Sequence, residues 1–136
     1  MTGHVHHQYV KDNTVTLENY HEHFAPDNFQ TRCLSGYNPL DSIYNVSEIP
    51  SDALEKAKEN LSKIAVVGLM EEFNLSLLMM QKTFAWKDIR YQAKNVAKSR
   101  KKVSELSSET RAILEEKLAD DIELYAHAEV LFAEQK

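Results

Sequence analysis

The chain has 136 residues, enough for a single hydrophobic core and too few for two catalytic lobes. Its 43% hydrophobic and 27% charged residues exclude wholesale disorder and collagen-like or mucin-like composition. The net charge of −5 conceals an asymmetry: in the segment 87–102, Lys87, Arg90, Lys94, Lys98, Arg100, Lys101 and Lys102 face Asp88 alone, so a cationic island sits on an acidic body.

The first 50 residues are rich in His, Asn, Thr and Pro without sustained periodicity, which predicts a loop-rich segment with at most a short helix over Thr16 to Phe24. Pro50 and Ser51 then mark a helix start, with Ser51 as N-cap and Leu54, Ala57, Leu61 and Ile64 at helical spacing, which predicts a helix over about 51–63. The apolar, β-branched run Ile64 to Leu69 predicts a buried strand. Such a strand needs a neighbour, and its edge favours self-association. Phe73, Leu77, Met80 and Phe84 form one helical stripe, with Leu75, Leu78 and Met79 making the other side apolar, so a helix buried on most sides is expected over 73–84. The basic island reads as a long loop ending at Ser107 or Ser108, either of which can cap the next helix. From there to about Gln135, Leu114, Leu118, Ile122, Tyr125 and Phe132 mark one face of a helix, kinked near Asp120 and Asp121. The expected fold is one domain over 1–136, mainly α with one or two short strands: a loop-rich segment 1–50, then a helical core over 51–136 with a strand near 64–69.

The longest mainly apolar stretch, Ile64 to Met80, is interrupted by Gly68, Glu71, Glu72, Asn74 and Ser76, too polar for a membrane span. No secretory signal is visible, and the single Cys33 cannot form an internal disulfide, so the expected setting is reducing and cytoplasmic. Five of six histidines, His4, His6, His7, His21 and His23, lie near the start. Without thiolate partners or H-E-x-x-H spacing they read as surface residues, and no metal is expected. Cys33 reads as incidental, since nothing near it marks an activated thiol. The basic island raises the local concentration of small anions. Nucleic acid is disfavoured, because the acidic remainder repels a long polyanion and no aromatic residue follows Tyr91 within the island.

Several separated stretches share one further pattern. Asp27-Asn28-Phe29-Gln30-Thr31-Arg32-Cys33-Leu34 resembles the N-x-Q-T-R-x-L segment of carbohydrate sulfotransferases of the heparan-sulfate 6-O and 2-O type and their bacterial relatives. Ala57-Lys58-Glu59-Asn60-Leu61, Gly68-Leu69-Met70-Glu71-Glu72-Phe73 and Ser76-Leu77-Leu78 are similar to that family's A-K-x-N-L, G-L-T-E-x-F and S-L-x-L run. Tyr91 and Asn95 resemble its Y/F-x-x-x-N element, and Asp121 to Phe132 its L-D-x-x-L-Y-x-x-A-x-x-L-F ending.

The resemblance, from about Tyr20 to Phe132, implies the C-terminal part of a P-loop-like α/β fold. The reaction that the resemblance implies passes a sulfuryl group from 3′-phosphoadenosine-5′-phosphosulfate (PAPS) to a hydroxyl acceptor of carbohydrate type. It implies nucleotide contacts by Asn95, Ser99, Arg100 and Lys101, and an acceptor or nucleotide cleft lined by Gln30 and Arg32. Neither a G-x-x-[KR]-x-[GS]-[TS] phosphate loop nor an R-x-P segment occurs in the chain. Activity by these residues alone is therefore not expected, no general base is assigned, and a homo-oligomer or a separate N-terminal half is the implied partner. The alternative is a non-catalytic helical module that binds anions or other proteins.

Overall fold

The computed structural model describes residues 27–37, 49–92 and 103–136, and all regular structure among them is helical. Five α-helices follow in chain order: α1 Phe29–Leu34, α2 Ala53–Ser62, α3 Phe73–Phe84, α4 Ser108–Lys117 and α5 Ala119–Gln135, with one 3₁₀ turn at Val103–Glu105. The suggested helix over Thr16 to Phe24 lies outside the described residues.

The turn that opens α2 is closed by a hydrogen bond from Ala53 N–H to the Pro50 carbonyl. Asp52, not Ser51, occupies the N-cap position, and its side chain makes no capping bond. That carboxylate is drawn elsewhere: Lys56 Nζ lies 2.8 Å away, and the Tyr37 hydroxyl donates to it at 2.7 Å. The Lys56 ammonium and the Tyr37 hydroxyl hold the Asp52 carboxyl below its usual range. Helix α2 buries Ala53, Ala57 and Leu61, one residue per turn. Ile64, expected on this face, lies beyond the helix end and is exposed.

Ile64 to Leu69 is not a strand. The chain is irregular through Ala65 and then runs without regular structure from Val66 to Leu69, with no strand partner among the described residues. Its apolar character is still used for burial, since Val66, Val67 and Leu69 are all buried. Side chains replace the missing ladder: Val67 N–H donates to Gln135 Oε1 at 2.9 Å, and Leu69 N–H donates to Ser76 Oγ at 2.9 Å. Buried backbone groups need partners, and here two helices supply them. Gly68 permits the approach, because a Cβ there would lie 3.1 Å from Ser76 Cβ.

Helix α3 has the expected bounds but not the expected burial. Ser76 is its one buried residue, Leu75 and Met79 pack against the core, and Phe73, Leu78 and Phe84 are exposed. The helix ends at Ala85, whose φ of 52° lies in the left-handed region, and Trp86 N–H reaches back to the Gln81 carbonyl.

Ser107 is the N-cap of α4, accepting from Thr110 N–H at 3.1 Å. The break between α4 and α5 falls at Leu118, ahead of the expected kink at Asp120 and Asp121. The cause is external to the segment. The Asn28 side-chain carbonyl accepts from Asp120 N–H at 3.0 Å and Asp121 N–H at 3.2 Å, so a fresh helix N-terminus is held at this point. The restart sets which face of α5 is inward: Leu124, Ala128 and Phe132 are buried, whereas Ile122 and Tyr125 are exposed.

The core is one cluster of Ala57, Leu61, Val67, Leu69, Leu124, Ala128 and Phe132, with Leu34, Leu54, Leu75, Met79 and Leu131 packed around it. Thus α2, α5 and the Val66 to Leu69 segment form the centre, α1 lies across α2 and α5, and α3 lies on one side. No described helix is long and apolar enough to cross a membrane.

Candidate functional site

The N-x-Q-T-R element forms α1 and the turn before it. Asn28 takes a left-handed φ of 52°, which an Asn tolerates better than other side chains. The Asp121 carboxylate accepts from Gln30 N–H at 3.1 Å, from Thr31 N–H at 2.7 Å and from the Thr31 hydroxyl at 2.7 Å. The N-termini of α1 and α5, each a partial positive charge, therefore meet around one carboxylate and one amide. Thr31 is fully buried.

The two cleft residues inferred from the sequence diverge here. Gln30 is exposed on α1. Arg32 is 6% exposed and its Nε–H donates to the Asp27 carbonyl at 2.8 Å, so this guanidinium helps hold the turn that presents Asn28. At the other end of α1, Asn60 Nδ2 donates to the Leu34 carbonyl at 2.9 Å, capping it from α2.

The described start of the basic island is anchored on α3. The Tyr91 hydroxyl donates to Asn74 Oδ1 at 2.9 Å, and its ring meets Phe73 edge-on with centroids 4.9 Å apart. Phe73 and Asn74 are in the first turn of α3, so Tyr91 sits at the N-terminus of that helix. Lys87 and Arg90 are exposed, and Arg90 clasps Asp88 through Nε and Nη2, the latter at 2.6 Å. The one acid of the island is thereby spent on a neighbour. Asn95, Ser99, Arg100 and Lys101 lie outside the described residues.

A groove of about 460 Å³ lies beside the Ala65 and Val66 backbone, walled by Leu75, Leu78 and Met79 of α3, with Lys82 at its rim. Thr83, Gln135 and the C-terminal Lys136 complete its lining, which includes no His, Cys, Asp or Glu side chain. Elsewhere, Ser62 Oγ and His127 Nε2 are 3.0 Å apart. Ser62 also lies 2.8 Å from the Lys58 carbonyl. The Ser62 hydroxyl thus lies between the His127 ring nitrogen and the Lys58 carbonyl, and which of the two nitrogen–oxygen partners donates depends on the His127 tautomer. Sequence reading passed over Glu71 as a partner of Tyr125, whose hydroxyl donates to Glu71 Oε2 at 2.7 Å. That hydrogen bond, with burial second, pushes Tyr125 up to about 12.

Among the described residues no group of three or more His, Cys, Asp or Glu side chains is placed to hold a metal ion, and the early histidines lie outside them. Cys33 is exposed. No family model matches the chain, and neither a curated protein nor a solved structure matches it.

Proposed function

We propose that this chain is the helical part of a sulfotransferase-type protein, presenting its basic segment to the phosphates of PAPS for transfer of the sulfuryl group to a carbohydrate hydroxyl. One observation carries the reading: the separated stretches that resemble the family are the ones that meet in space. Asn28 and Thr31 engage Asp121, Asn60 caps Leu34, Gly68 and Leu69 close on Ser76, and the Tyr91 ring meets Phe73 edge-on. Spacing on a string does not require such pairing.

In such a transfer the acceptor oxygen bonds to sulfur as the bond to the leaving phosphate breaks, and the acceptor proton passes to a base. The described residues supply cationic charge, Lys87 and Arg90, but form no phosphate cradle, so the bond-making step belongs to a phosphate-loop-bearing part. Asn95, Ser99, Arg100 and Lys101 are the proposed nucleotide contacts, and Gln30 is the exposed candidate for the acceptor side.

Calorimetric titration with 3′-phosphoadenosine 5′-phosphate, at low and moderate salt, tests the reading. Saturable binding that weakens with salt and is lost in an Arg100→Ala, Lys101→Ala variant is expected. Absence of binding at millimolar nucleotide overturns it. The second reading, a helical anion-binding or interaction module without catalysis, is favoured by the lack of a phosphate loop in the sequence. It predicts that inorganic sulfate competes as well as the nucleotide.

A further inference from the structure

We propose that the turn after α3 is an insertion tip for an anionic lipid surface, with the Phe84 and Trp86 rings entering the bilayer interface and Lys82 and Lys87 meeting its headgroups. This does not rest on the nucleotide reading. Every residue from Lys82 to Asp88 is exposed, so the chain juts out where the helix ends. Ala85, at a φ of 52°, reverses its direction, and Trp86 N–H closes the turn on the Gln81 carbonyl at 3.2 Å. The turn sets the Phe84 and Trp86 rings side by side, with centroids 5.8 Å apart. They are 48% and 45% exposed. The body leaves them so because α3 meets the core through Leu75, Ser76 and Met79, and no other helix packs along it.

Charge selects the occupant. Lys82 is the one charged residue of α3, and neither it nor Lys87 has an acidic partner among the described residues. By contrast Lys56, Lys58, Lys63 and Lys117 each lie within 3.5 Å of a carboxylate. The acid nearest in sequence, Asp88, is held by Arg90 at 2.6 Å. Unneutralised lysines beside exposed rings suit an anionic bilayer, where cations meet lipid phosphates and aromatic bodies sink to the acyl boundary. The Trp86 indole N–H has no acceptor among the described residues, and at such an interface it turns toward the headgroups. Size argues the same way. A protein interface of standard size takes about 20–30 residues a side, whereas this turn offers only a few, and a bilayer needs no more than that. No described helix is long and apolar enough to span, so the contact is peripheral.

Trp86 is the single tryptophan, so its emission reports the tip directly. The full chain is titrated with vesicles of phosphatidylglycerol and phosphatidylcholine in equal parts, and with vesicles of phosphatidylcholine alone, and bound protein is measured by co-sedimentation. On the anionic vesicles the emission moves to shorter wavelength and is quenched by lipids brominated in their acyl chains, and salt weakens binding. Lys82→Ala with Lys87→Ala lowers the partition coefficient roughly thirtyfold. Phe84→Ala lowers it roughly tenfold. Circular dichroism melting establishes that each variant is folded, and quenching in the unsubstituted chain tests the tip without any variant. Trp86 emission that neither shifts nor is quenched overturns the inference even if the chain co-sediments, because the contact then lies elsewhere on the surface. Equal binding to phosphatidylcholine alone removes the role of the lysines and overturns it. A folded Phe84→Ala chain that binds like the parent overturns it too.

Discussion

Asn28 and Asp121 cap each other's helices. The Asn28 amide oxygen holds the first N–H groups of α5, and the Asp121 carboxylate holds those of α1 together with the Thr31 hydroxyl. Removing either side chain leaves one helix end unsatisfied next to another positive helix end. Asp121→Ala is expected to lower stability by about 2–4 kcal/mol, since three donors, two of them on the buried Thr31, lose their acceptor. At Asn28 the backbone adds a second effect. Asn28→Gly loses the cap alone, whereas Asn28→Ala also places a β-carbon at φ 52°, and should cost about 1 kcal/mol more. Urea unfolding of the three variants checks the order, and equal losses for Gly and Ala would refute the role assigned to the left-handed turn.

The contact of Gly68 with Ser76 joins the central segment to α3. Ser76 is 4% exposed, and its hydroxyl accepts from Leu69 N–H while lying 3.1 Å from the Leu69 carbonyl and 3.0 Å from the Glu72 carbonyl. Gly68→Ala pushes a methyl group into this hydroxyl and should cost about 1–3 kcal/mol. Ser76→Ala leaves the Leu69 N–H without an acceptor, at about 1–3 kcal/mol. Since both changes break one contact, the double variant should lose less than the sum of the two. Strict additivity in thermal melts would mean that the two residues act separately.

Helices were legible in the sequence wherever periodicity was long and local signals agreed. The bounds of α3 follow from its apolar content, and Ser107 announces α4 as a cap should. What could not be read is what depends on partners distant in the chain. Helix α1 is six residues held in place by Asp121, 90 positions away, and no local pattern announces such a helix. The same partnership moved the α4/α5 break to Leu118 and rotated the buried stripe from Ile122 and Tyr125 to Leu124 and Ala128. Ile64 to Leu69 had a strand's composition, but a strand is a property of two segments, and here side chains supply its hydrogen bonds. The candidate site was legible only as charge and resemblance. That Arg32 helps hold the Asn28 turn is a packing fact that residue type does not reveal.

Arg32 gives a way to separate structure from ligand binding. With its Nε–H on the Asp27 carbonyl and the side chain buried, Arg32→Lys keeps the charge but loses the planar fork. A loss of about 1–3 kcal/mol is expected, from a charge-assisted bond unmade. Gln30→Ala, on the exposed side of the same helix, should leave stability within about 0.5 kcal/mol. If Arg32→Lys melts like the parent yet loses affinity for 3′-phosphoadenosine 5′-phosphate, Arg32 faces the ligand and its structural assignment fails.

Tyr125 and Glu71 form a contact whose strength depends on pH at both ends. Glu71 accepts the Tyr125 proton, which holds the Glu71 carboxyl below its usual 4.5 and pushes the Tyr125 phenol up to about 12. For the tyrosine the raised value means that the contribution is complete below the unfolded value of about 10 and is lost as pH rises toward 12. For the glutamate the lowered value means the reverse, with the contribution present above 4.5 and lost as pH falls through the lowered value. Both side chains are largely solvated, so the effect on stability is small and the titration itself is the better readout. Absorbance of phenolate at 295 nm in the parent should show a last step near pH 12 that Tyr125→Phe removes. Glu71→Gln removes the negative acceptor and should bring that step down toward 10. The stability advantage of the parent over Tyr125→Phe should be constant from about pH 6 to 9 and narrow above 10. A Tyr125→Phe titration curve that keeps the step near 12 would place that ionisation on another of the six tyrosines and dissolve the pairing with Glu71.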